Sequence, residues 1–167
     1  MGMELIGRHL SVHELRAVLN DPAAVDELLY GDLDDGDAEM PEPDLDLDRS
    51  WHVLHFALTG TAWQVTEGVG EAILGGTEIG GDGGYGPARL LDAATVRRVS
   101  AALDDLDDGA LVARYDPAAM AAADIYPDHL RIAPEEFAGF VGPQLSALRA
   151  FYSDAAAAGQ AVLLAIV

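Results

Sequence analysis

The chain closes on "AVLLAIV", residues 161–167, without one polar side chain. A strand with one face in water alternates apolar and polar residues, because successive side chains point to opposite faces. Unbroken apolar character marks a strand covered on both faces, and the run is far too short for a membrane span, which needs about 20 residues. Helices must therefore lie on both sides of a sheet in which this C-terminal strand is central. The expected architecture is α/β (α+β), a three-layer sandwich with a mixed sheet. No repeat of fixed period and no linker divides residues 1–167, which are expected to form a single domain.

The helices can be read from their caps and stripes. Residues 3–10 alternate loosely and predict a first strand. Ser11 and Glu14 stand at capping-box spacing ahead of Val12, Leu15, Val18 and Leu19. Asp21-Pro22 opens a second helix with Val25, Leu28 and Leu29 inward, and Gly31 stops it. Residues 32–48, acidic and Pro-containing, predict a surface loop. A helix is expected from about Ser50 to Leu58. Extended runs follow in "EAILGGTEIG" and "YGPARLL", then a helix capped by Asp92 and carrying Val96, Val99 and Leu103. Short helical pieces are expected around Leu111-Val112 and after Asp116-Pro117. A long helix spans Glu135 to Ala158, where Gly142-Pro143 should kink or break it.

Composition removes several kinds of chemistry. With 29 acidic and 9 basic residues the formal net charge is −20. Nucleic acid and anionic membrane surfaces are excluded as partners, since both need clustered cations. A basic protein partner remains compatible. There is no Cys, and all nine basic residues are Arg. Disulfides, thiolates, Schiff-base lysines and the phosphate-loop lysine are thereby absent. "MGMELIGRHL" lacks the basic-then-apolar pattern of a secretory signal, so a cytoplasmic protein is expected.

The candidate chemistry centres on "RSWHVLHFALTGT". On a helix Trp51, Leu54, His55 and Leu58 share one face, so His55 reads as a core imidazole or as a ligand-facing one. His52 falls one turn beyond Asp48, a spacing at which the carboxylate orients a base or shares a metal, with His9 or His13 as a third ligand. "DLDLD", Asp44 to Asp48, opens like a calcium loop, but the sixth and twelfth positions hold Arg49 and His55 where Gly and Glu are required. "GDGGYG" has dinucleotide-fingerprint spacing without room for the helix that must follow it. No cofactor is therefore expected. Tyr85-Gly86-Pro87-Ala88-Arg89 offers a rigid backbone with one Tyr and one Arg, suited either to a small anion or to an ion pair.

Taken in order, "MGM", "LDLDRSWHVLHFALTGT", "AILGG", "GYGPARLL", "DPAAMAAADIYP" and "LRAFYSDAAAAGQAVLLAIV" resemble the YfbM-like family of small bacterial proteins over nearly the whole chain. The resemblance implies one three-layer α/β domain. It supplies no reaction, because the family is a domain of unknown function, but it marks Trp51, His52, His55 and Tyr85 to Arg89 as recurrent. The acidic 32–43 loop and the lack of Lys depart from the family.

Three functions are compatible with these residues. The first is a binding module whose pocket, lined by Trp51, His52, His55, Tyr85 and Arg89, holds a small polar ligand or a partner segment. The second is an acidic, immunity-type protein that neutralises a basic partner. The third is a metal-dependent hydrolase using Asp48 and His52.

Overall fold

The computed structural model describes residues 2–128 and 131–167. The chain begins with strand β1 (Leu5–Leu10), then helices α1 (Val12–Asn20) and α2 (Ala24–Tyr30). The expected capping box closes α1: Glu14 N–H donates to Ser11 Oγ at 3.1 Å, and Ser11 N–H donates to Glu14 Oε1 at 2.9 Å. A short strand β2 (Leu45–Asp46) and one 3-10 turn lead into α3 (Trp51–Thr59). Hairpin strands β3 (Thr77–Asp82) and β4 (Pro87–Leu91) follow. Four helices, α4 (Ala93–Asp104), α5 (Asp108–Ala113), α6 (Pro117–Ala122) and α7 (Phe137–Ala158), then lead to β5 (Ala161–Ile166).

The strand order is β2-β1-β5-β4-β3, which puts β5 in the middle as its composition requires. Its side chains divide between two cores. Val162 and Leu164 face α3, α4 and α7 with Leu5 and Leu91, whereas Ala161, Leu163 and Ala165 face α1 and α2 with Ile6, Leu10, Val18 and Val25. Val162, Leu163 and Leu164 are fully buried, each contributing about 2 kcal/mol of apolar transfer.

The expectation of a mixed sheet is corrected: every strand pairing is antiparallel. An all-apolar strand reports that both faces are covered, but says nothing about the direction of its neighbours. The 32–48 loop is also interrupted, because "DLDLD" forms the edge strand β2 and its approach. Leu45 and Leu47 point inward while Asp44, Asp46 and Asp48 are exposed. The carboxylates finish the edge: Asp44 Oδ2 accepts His9 N–H at 2.7 Å, and Asp46 Oδ1 accepts Asp48 N–H at 2.8 Å.

In "EAILGGTEIG" the strand begins only at Thr77. Ala72 and Ile73 instead lie buried beneath the sheet, after a 3-10 turn over Gly68–Glu71. Helix α7 runs unbroken through Pro143, whose missing N–H would have bonded the carbonyl of Gly139. Both residues are exposed, so that carbonyl is not buried without a partner. Gly159, at φ 66°, ends α7 and turns the chain into β5.

Candidate functional site

Helix α3 buries six of its nine residues, Trp51, His52, Val53, Leu54, His55 and Leu58. The ring nitrogens of its Trp and His residues are spent on backbone, His55 Nδ1 excepted. Trp51 Nε1–H donates to Met3 O at 3.0 Å. His52 Nε2–H donates to Ala62 O at 2.9 Å, and its Nδ1 accepts Tyr126 N–H at 2.9 Å. A carbonyl can only accept and an amide N–H can only donate, so these partners fix His52 as the neutral Nε2–H tautomer. The ring also stacks on Trp51, with centroids 4.7 Å apart, and on Trp63, at 4.4 Å. Burial holds the His52 pKa below its ordinary value, against a smaller opposing effect of the Ala62 hydrogen bond.

His55 is equally buried. Its Nε2–H donates to Gln64 O at 3.1 Å, while Nδ1 has no partner. Burial lowers its pKa to about 4, and the positive charge of Arg89 acts in the same direction. Arg89 lies on the sheet face that meets α3 and α7, opposite Leu164. Its Nη2–H donates to Ile73 O at 3.1 Å, and its Nε is buried without a partner. Beside it, the hydroxyl of the fully buried Tyr152 donates to Ala72 O at 2.7 Å. Burial lowers the Arg89 pKa and raises that of Tyr152.

The five residues expected to line one pocket are therefore divided. Trp51, His52, His55 and Arg89 meet inside one helical layer, with the imidazoles closed to solvent. Tyr85, 41% exposed in the β3–β4 turn, belongs to the opposite layer, where it lines a shallow depression with Tyr30 of α2. The Asp48–His52 pairing does not form, since both His52 nitrogens are taken by backbone and Asp48 is exposed at φ 47°. His9 Nε2–H donates to Phe151 O at 2.8 Å, and His13 is exposed on α1, so neither reaches His52 as a third ligand. Among the described residues no group of three or more His, Asp or Glu side chains is placed to share a metal ion.

A concavity does form, on residues to which the sequence assigned no chemistry. A cleft of about 390 Å³ opens between α3, α6 and the segment that follows α6. Val53, Met120, Ile125 and Ile132 give it an apolar floor. Asp124, Asp128 and Arg131 add charge at its rim. Tyr115 braces one wall, stacking on Phe137 at 3.9 Å and donating its hydroxyl to Ile132 O at 2.7 Å. The other wall is pinned by His52 through Tyr126, whose hydroxyl also accepts Met3 N–H at 2.9 Å. Asp124 holds a left-handed φ of 53°, which carboxamide and carboxylate side chains tolerate better than most. The available signal was "DPAAMAAADIYP", one of the stretches carrying the family resemblance, in which no catalytic spacing stands out.

No helix among the described residues is long and apolar enough to cross a membrane. Among curated proteins no relative matches the chain. The crystal structure of a protein of unknown function, YfbM from Escherichia coli, superimposes with a TM-score of 0.75 at 20% identity, covering 99% of both chains, and so shares this fold. Residues 1–165 match the family described as a domain of unknown function, DUF1877, and the chain belongs to that family.

Proposed function

We propose that this chain is a binding module whose ligand sits in the α3–α6 cleft. The observation that carries the proposal is a braced concavity with an apolar floor and a charged rim, the pattern of small-molecule sites. Asp124 offers an acceptor and Arg131 a donor, so the matching ligand has an apolar body and a head group with both a donor and an acceptor. The role of His52 is to hold the wall through Tyr126; its nitrogens have no capacity left for a ligand. A basic protein partner has support only from net charge. Within the acidic loop, Asp32 and Asp35 already accept the N–H groups of Asp34 and Asp37 to form their own turns.

The chain contains four methionines, so a methyl-labelled spectrum is simple enough to follow Met120 directly. Phenylacetamide should move the Met120 methyl signal and raise the melting temperature, with toluene, which has no head group, doing less. Substituting Met120→Trp fills the cleft and should abolish the melting shift. A stationary Met120 signal, or a melting shift that survives Met120→Trp, would overturn the assignment.

A further inference from the structure

Among the described residues, the opposite helical layer contains a cation without a counterion. Arg8 lies on β1 in phase with Ile6 and Leu10 and opposite Leu163, so its side chain enters the layer of α1 and α2. Three other arginines stand against carboxylates: Arg49 at Glu4, Arg98 at Glu67 and Glu71, and Arg149 at Asp108. Arg8 has no such partner among the described residues. Its Nε and Nη1 are buried with no hydrogen-bond acceptor, although 29 carboxylate residues are present in the chain. A buried donor left unmade costs about 1–3 kcal/mol, more when it is charged, so the arrangement carries an unmet demand for an anion.

Above Arg8 is a cleft of about 280 Å³ between α1 and α2. Ala17, Ala24, Leu28 and Pro41 give it apolar walls, and His13, Glu14 and Glu27 border it. Glu14 is partly committed, since its Oε1 accepts Ser11 N–H in the capping box, whereas Glu27 is exposed on α2. With His13 neutral at pH 7, one guanidinium and two carboxylates disfavour a polyanion such as a phosphate ester. A ligand with one carboxylate and one ammonium group satisfies both signs.

We infer that the α1–α2 cleft is a second binding site, for a small zwitterion of the α-amino-acid type. Its carboxylate takes an edge of the Arg8 fork and its ammonium group meets Glu27. Each two-donor edge of the guanidinium pairs Nη2 with one of the two unpartnered nitrogens, so a bidentate carboxylate supplies an acceptor to one of them. The site shares no lining residue with the α3–α6 cleft, so failure of one assignment leaves the other standing.

The test uses the full ¹⁵N-labelled chain, titrated with L-alanine and with its two halves, propionate and ethylammonium, while following the arginine Nε–H signals. L-Alanine should shift the Arg8 signal with Kd on the order of 1 mM or tighter, and each half should bind more weakly. L-Alanine should also shift the backbone amide signals of Ala17 and Ala24, which line the cleft, and Arg8→Gln should remove that response. Should Arg8→Gln fail to fold, Glu27→Gln, at an exposed position, decides the matter: it should weaken L-alanine about tenfold and leave propionate unchanged. The inference is overturned if the Arg8 signal does not respond, if the response persists in Arg8→Gln, or if L-alanine and propionate bind alike and ignore Glu27→Gln.

Discussion

The imidazole Nδ1 of His52 accepts the backbone N–H of Tyr126 at 2.9 Å, joining α3 to a segment 74 positions further along the chain. From its other nitrogen the same ring donates to Ala62 O. One neutral side chain thus ties three segments together, and the wall of the α3–α6 cleft depends on it. Replacing His52 by Ala removes both hydrogen bonds and the ring packed between Trp51 and Trp63. The expected loss is about 3–4 kcal/mol in urea unfolding, by analogy with other large-to-small changes in cores. Amide exchange should accelerate at Tyr126 more than in β5. Uniform acceleration would show that His52 supports the core generally and not this wall.

The buried imidazoles also make stability depend on pH. A histidine whose folded pKa lies below its unfolded one binds fewer protons when folded, so stability falls as pH falls between the two values. For His55 the interval runs from 6.5 down to about 4, and its full width corresponds to about 3 kcal/mol lost by the lower end. His52 is shifted in the same direction. Glu71 and Asp92, held low by Arg98 and by the Thr95 N–H respectively, add losses in the same direction once pH nears their own titration ranges. Urea unfolding at steps between pH 7 and pH 4 should fall steeply for the native chain and less so for His55→Gln. Equal slopes would mean that His55 is not the proton acceptor.

Gly7 marks a contact at which a larger residue forces a neighbour to shift. A Cβ there would stand 2.8 Å from Phe151 Cζ and 3.1 Å from Leu45 Cβ, because the Phe151 ring lies directly on β1. Gly7→Ala should therefore destabilise by about 1–3 kcal/mol, the usual cost of overpacking. The double change Gly7→Ala with Phe151→Leu should recover part of the loss relative to the sum of the single changes. Strict additivity would show that the two positions do not compete for one space.

The elements that were legible in the sequence share a local cause. The Ser11–Glu14 box, the Asp92 and Asp116 caps and the Gly159 stop each act within one turn, so a few residues suffice to identify them. The central place of β5 was legible because burial on both faces leaves an unbroken apolar run. What could not be read depends on long-range pairing. Strand direction is set by which neighbours β5 meets, and the strand within "DLDLD" was hidden by reading its aspartates as charge and not as the outer half of a period of two. At the site, Trp51, His52 and His55 were correctly placed on one short helix. Yet nothing local shows that the acceptors for both imidazoles come from residues 62–64, or that Tyr126 completes His52. The cleft itself is assembled by Val53, Met120 and Ile125, apolar residues that no chemical motif singles out.

Arg89 and His55 leave complementary atoms unused: an Nε–H with no acceptor and an Nδ1 with no donor, both buried in the same helical layer. Replacing Arg89 by Met removes the orphaned donor and a desolvated charge, at the cost of the hydrogen bond to Ile73 O. Exchanging a buried cation for an apolar side chain of similar length often changes stability little, so a net change within about 1 kcal/mol is expected. The more telling effect is on His55. Arg89 disfavours a second positive charge nearby, so its removal should raise the His55 pKa above its native value of about 4 while burial still keeps it below 6.5. Following the His55 Cε1–H resonance through an acid titration measures this shift directly. An unchanged midpoint would show that Arg89 does not act on the His55 proton affinity and that the two side chains are electrostatically independent.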